Sequence, residues 1–195
     1  SHEEFLSFEQ IADVVRSGAE IGLKKIRLTG GEPLVKRGIL NIVKMIRNIE
    51  GVEYIGMTTN GTLLADTAAG LKKAGVDSIN ISLDTLDPAR YREITRVGTI
   101  DRVLEGIKAA RAENFPLKIN TVVMNETAAE DIEDMRRFCR EGGMKLQLIN
   151  HFSLSDAKLN TYDFDRPPRC ESCNRIRLLA DGNLKPCLHS DDEIP

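Results

Sequence analysis

Apolar, β-branched runs alternate with amphipathic stretches over the first 150 residues. The runs at Lys25–Thr29, Glu53–Thr58, Ser78–Leu83, Leu117–Val123 and Lys145–Asn150 predict strands. Between them, apolar residues recur at helical spacing. Phe8, Ile11, Ala12 and Val15 share one face, as do Ile39, Ile42, Val43 and Ile46. Leu64, Ala68 and Leu71 form another such face, Ile100, Val103, Leu104 and Ile107 a fourth, and Asp131–Arg140 is the last helix. Ser7 and Gln10 have the spacing of a capping box, Gly75 is placed to close its helix, and Thr99 is placed to cap the helix after it. Strands separated by helices imply parallel pairing through right-handed crossovers. Five such units in this length predict an α/β fold with an open or partial barrel, a doubly wound sheet being the alternative. In either layout the ligand binds at the carboxyl ends of the strands.

The rhythm stops after Phe152. The expected division is a partial βα barrel over 1–152, a polar connector over 153–169 containing Pro167-Pro168, and a cysteine-bearing hairpin over 170–195. Within the last unit, Arg175 to Pro186 reads as two short strands around an Asp181-Gly182 turn.

With 41% hydrophobic and 29% charged residues, the 195-residue chain has the composition of a globular domain. A net charge of −3 argues against a nucleic-acid-binding surface but leaves room for a small anionic ligand in a local basic pocket. No apolar run approaches the ~20 residues needed to span a bilayer, and no signal peptide is recognisable. The expectation is a cytoplasmic protein with reduced thiols and no membrane or nucleic-acid partner.

Three of the four cysteines, Cys170, Cys173 and Cys187, cluster near the end of the sequence. A hairpin would fold Cys187 back towards the Cys170/Cys173 pair, so that all three sulfurs meet at one metal. An odd trio cannot pair internally as disulfides. Zinc would take a fourth ligand, whereas an iron–sulfur cluster on three cysteines keeps one iron open. Cys139 lies with Ile132, Met135 and Phe138 and reads as core.

Small polar groups end the predicted strands: Thr29-Gly30-Gly31-Glu32-Pro33, Thr58-Thr59-Asn60-Gly61 and Ser82-Leu83-Asp84, with Lys118-Ile119-Asn120 opening the fourth. The Gly-Gly turn is neither a dinucleotide fingerprint nor a P-loop. Arg175 and Arg177, two apart on a predicted strand, would share a face and suit a phosphate or carboxylate. Lys25 and Arg27 also share a face, which either lines a barrel or snorkels outward.

Read together, Leu6-Ser7-Phe8-Glu9, Ile26-Arg-Leu-Thr-Gly-Gly-Glu-Pro33, Thr58-Thr-Asn-Gly61, Ser82-Leu-Asp84, Lys118-Ile-Asn-Thr-Val-Val123 and Cys173-Asn-Arg-Ile-Arg177 resemble radical S-adenosylmethionine (SAM) enzymes. Within them, the likeness is to the GTP 3′,8-cyclase family of molybdenum cofactor biosynthesis, and it runs from about Leu6 to Leu188. The resemblance implies a partial (βα)6 barrel of the radical SAM type. It would place Gly31, Glu32, Ser82, Asn120 and Phe152 at SAM; Phe152 stands where the family usually has methionine. Arg27, Thr58, Lys118, Arg175 and Arg177 would contact GTP, which puts Arg27 inside the barrel. Cys170, Cys173 and Cys187 would hold an auxiliary [4Fe–4S] cluster whose open iron engages the purine. The implied reaction turns GTP into (8S)-3′,8-cyclo-7,8-dihydroguanosine 5′-triphosphate through a 5′-deoxyadenosyl radical. A flavodoxin or ferredoxin would supply the electron, and a homodimer is compatible.

The family's Cys-x-x-x-Cys-x-x-Cys loop does not occur in this sequence, as if a first βα unit were missing. A second [4Fe–4S] cluster is therefore expected only with an upstream segment, and this stretch alone is expected not to generate the radical. Two other readings remain beside the cyclase: a radical SAM enzyme acting on another substrate, and a non-catalytic module stapled by metal.

Overall fold

The computed structural model describes residues 5–124, 127, 129–150, 173–187 and 192–195. The chain enters through α1 (Phe8–Glu20), whose capping box forms as its sequence predicts. Ser7 Oγ accepts from the Gln10 amide at 3.2 Å, and Gln10 Oε1 accepts from the Ser7 amide at 2.8 Å. Then follow β1 (Lys25–Leu28), a 3-10 turn (Pro33–Val35), α2 (Ile39–Arg47), β2 (Tyr54–Thr59), α3 (Leu64–Ala74) and β3 (Ser78–Ser82). The series continues with α4 (Pro88–Thr95), α5 (Ile100–Ala112), β4 (Leu117–Val123), α6 (Ala129–Glu141) and β5 (Lys145–Asn150).

The five strands pair in parallel and in chain order. A doubly wound sheet would reverse that order at a switch point. Here nothing reverses, so right-handed crossovers place successive helices on one side and the sheet is a partial barrel. The helix side carries the core. Ile55, Met57, Ile79, Ile81 and Ile119 are fully buried against Ile46, Leu64, Leu71 and Val103 of the helices. Among the described residues no helix is long and apolar enough to cross a membrane.

Two helix starts differ from expectation. Thr99 occupies the N-cap of α5, but its side chain makes no capping bond; burial of Ile100 and Val103 holds that end instead. Helix α4 is an additional element. Its interior buries only Tyr91, so it shows no apolar repeat, yet its start is conventional: Pro88 in the first turn and Asp87 Oδ1 accepting from the Arg90 amide at 2.6 Å.

The C-terminal element is an antiparallel hairpin of β6 (Arg177–Leu178) and β7 (Leu184–Lys185), turning through Asp181 and Gly182, whose φ is 98°. Ile194 bridges to Leu184, and the Leu6 amide donates to the Ala180 carbonyl at 3.0 Å, tying the hairpin turn to the segment before α1. The first strand of the hairpin starts at Arg177 and not at Arg175, so the two arginines do not share a strand face. The 153–169 connector lies outside the described residues.

Candidate active site

Successive residues of a strand point to opposite faces. Because one face of this sheet is apolar and covered by helices, the residues between those core positions all project onto the other, concave face. Pairing arranges them in rows across the strands. Arg27, Gly56 and Ser78 form one row; Thr58, Asn80, Lys118 and Lys145 the next; Ser82, Asn120 and Gln147 the third. A parallel sheet usually has both faces apolar. Here the concave positions of the strands carry four cations, Lys25, Arg27, Lys118 and Lys145, and no acid. Such a face attracts an anion.

Arg27 thus takes the inward placement. Among the described residues no acidic group pairs with it. Lys118 is half-buried and its Nζ donates to Gln147 Oε1 at 3.1 Å, a neutral partner that leaves its charge available. Thr58 is half-buried in the same row, while Thr59 turns into the core with 2% exposure. At the floor of the face the Tyr54 and Ser78 hydroxyls share a hydrogen bond.

At the carboxyl rim, the loop after β1 is tied down by Glu32. Its Oε1 accepts from the Leu34 amide at 3.0 Å and the Thr59 hydroxyl at 2.7 Å, and its Oε2 from the Asn60 amide at 2.6 Å. The carboxylate is engaged within the protein, and the glycines beside it leave backbone open to a ligand. Nothing lies within 4 Å of a Cβ built on Gly30 or Gly31, and Gly30 takes a φ of 140° open to glycine. Ser82 is exposed at the end of β3, next to Asn120 in register. Asn120 Oδ1 is buried and has no hydrogen-bond partner among the described residues, so this acceptor is available to a donor. Asp84 Oδ1 accepts from the Val122 amide at 2.8 Å, and burial pushes its carboxyl above the ordinary range although that bond pulls it back.

Of the cysteines, Cys173 is exposed just before the hairpin and Cys187 half-buried just after it, and neither forms a disulfide. Cys170 and Phe152 lie outside the described residues, and among the described residues no three metal-binding side chains gather. Arg175 is exposed and Arg177 half-buried. Cys139 is core, 2% exposed, with its thiol pushed up to about 11 by burial.

Three concave residues were not evident from strand ends alone: Gly56, Asn80 and Gln147. Period-two counting back from Thr58 and Ser82, and across from Asn120, is the signal that finds them.

The profile of the Radical SAM superfamily matches residues 1–139. The chain is 38% identical to the GTP 3′,8-cyclase of Alkaliphilus metalliredigens, over 100% of this chain and 74% of that protein. It is 36% identical to the GTP 3′,8-cyclase of Petrotoga mobilis with the same coverage. Among solved structures, SuiB of Streptococcus suis bound to S-adenosylmethionine superposes with a TM-score of 0.65 at 21% identity, covering 77% of this chain and 35% of SuiB. That last likeness concerns the fold. Sequence kinship of this extent makes the chain a member of the radical SAM superfamily and a relative of the GTP 3′,8-cyclases.

Proposed function

We propose that this chain binds GTP and SAM on its concave sheet face and serves the cyclisation of GTP to (8S)-3′,8-cyclo-7,8-dihydroguanosine 5′-triphosphate. The observation that carries the reading is the acid-free cationic face. Arg27 and Lys118, one row apart, suit the phosphates of a nucleotide, and Thr58 and Asn80 lie beside them as hydrogen-bonding neighbours. The orphaned Asn120 oxygen fits SAM, whose amino and ribose groups are donors, and the open Gly30-Gly31 turn admits it without steric conflict.

Cys170, Cys173 and Cys187 are the donors for an auxiliary [4Fe–4S] cluster, and their thiol chemistry suits one. When bound, a reduced cluster with SAM supplies a radical able to remove a hydrogen atom from substrate. The chain's own residues bind, orient and shield: Ser82 and Asn120 hold the SAM side, Arg27 and Lys118 the triphosphate. A flavodoxin or ferredoxin is the electron donor in this reading.

The test is anaerobic purification of the native gene product, iron and zinc analysis, and turnover with SAM, a reductant and GTP. Where the gene product carries an upstream segment with the cluster loop, about eight irons per polypeptide, two [4Fe–4S] clusters, with GTP-dependent 5′-deoxyadenosine and the cyclised nucleotide, is the expected result. Two clusters whose SAM cleavage ignores GTP would point to another substrate. Zinc in place of iron would leave only a metal-stapled module.

A further inference from the structure

β2 carries Gly56 at a buried position in the middle of the sheet. Glycine in a strand interior forgoes packing and raises the entropy lost on folding, so it usually marks a close approach by another group. The approaching group here is specific. A Cβ built on Gly56 would lie 2.9 Å from Arg27 Nη2 and 3.0 Å from both Cζ and Nη1. All three are guanidinium atoms, and Arg27 is the direct register partner of Gly56. The flat end of Arg27 therefore lies across the place where any other residue would carry a side chain.

We propose that Gly56 is a positioning residue for Arg27. Its missing side chain seats the guanidinium flat on the sheet floor, with the in-plane N–H donors directed along the concave face towards an anion. The inference rests on the anion-binding reading of this face and specifies what holds the anion's partner in place. The 2.9 Å contact must be relieved and the two at 3.0 Å must give, and the far end of a flexible arginine can move more easily than the paired backbone of two strands. An alanine at this position should thus leave the fold intact and displace the guanidinium.

The experiment compares wild type, Gly56→Ala, Arg27→Ala and the double variant, all cluster-loaded. Calorimetry measures binding of GTP, inorganic tripolyphosphate and SAM, alongside thermal unfolding. Gly56→Ala is expected to unfold like wild type, bind SAM unchanged, and bind both GTP and tripolyphosphate roughly tenfold more weakly, as for a misplaced charge-assisted bond. In the Arg27→Ala background the same substitution should have no further effect. Wild-type affinity in Gly56→Ala, an equal loss in the Arg27→Ala background, or failure of Gly56→Ala to fold would each overturn the inference. Wild type that binds tripolyphosphate but not GTP would refute the choice of substrate while still deciding the role of Gly56. Wild type that binds neither would remove the anion seat, and the inference with it.

Discussion

Lys118 on β4 donates to the Gln147 side chain on β5 at 3.1 Å, so a cation on the concave face is held by a neutral amide from the neighbouring strand. Gln147 orients the ammonium without neutralising it. Gln147→Leu should lose that orientation and weaken nucleotide binding by roughly fivefold, about 1 kcal/mol for one hydrogen bond. Gln147→Glu should be worse, because an ion pair would quench the charge the anion needs. Equilibrium binding of GTP to the three proteins checks the order.

Glu32 joins the loop after β1 to the end of β2 through two hydrogen bonds, from Thr59 and Asn60, and braces the loop itself through a third, from the Leu34 amide. Glu32→Ala leaves the Thr59 hydroxyl and two backbone amides without their acceptor, and should cost about 2–3 kcal/mol. Glu32→Gln keeps one acceptor oxygen and should cost less. Denaturant unfolding measures both, and SAM affinity should fall in the same order because the Gly30-Gly31 turn loosens.

Gly106 offers a contrast with Gly56. A Cβ on Gly106 would sit 2.4 Å from the Gly61 carbonyl oxygen and 2.9 Å from Leu64 Cβ, where α5 crosses the start of α3. The obstacle is backbone and cannot swing aside. Gly106→Ala should lower stability by about 1–3 kcal/mol, as overpacked cores do, visible as a lower denaturation midpoint.

Asp84 has its folded-state pKa raised, chiefly by burial, above the ordinary carboxyl value of 3.8. The native state therefore binds the proton more tightly than the unfolded chain, and stability falls as pH rises from 3.8 through the folded value. Asp84→Asn keeps an oxygen for the Val122 amide and removes the charge. It should raise the unfolding temperature at pH 7, with a gain that shrinks towards pH 4, as thermal scans across pH would show.

Thiol alkylation of cluster-free protein separates the cysteines by environment. At pH 8, Cys173 should react readily, whereas Cys139, with a pKa near 11 and 2% exposure, should react only on unfolding. Mass spectrometry of labelled peptides with and without denaturant reads the difference.

The sheet was legible in the sequence because its helix-side residues are apolar at strand spacing. Leu117–Val123 and Lys145–Asn150 match their strands end to end, since their boundaries coincide with changes in the hydrophobic pattern. Ser7-Gln10 and Gly75 were legible because capping is local. What failed was what depends on distant partners. Helix α4 buries one residue and leaves no periodic trace, and Arg175 falls outside its strand because pairing starts at Arg177. The engagement of Glu32 with Thr59 and Asn60, and the seat of Arg27 on Gly56, follow only from register between strands far apart in sequence.

The division of the sheet into an apolar and a polar face separates two selective pressures. Ile55, Ile79, Ile81 and Ile119, on the helix side, fill the core, while the side chains that alternate with them, such as Thr58, Lys118 and Gln147, lie outside it and are only half-buried. A substitution at Thr58 or Gln147 can therefore alter what is bound while the architecture stays as it is. Chains built this way can exchange one substrate for another by single steps along alternate positions, and each intermediate remains a folded protein on which selection can act.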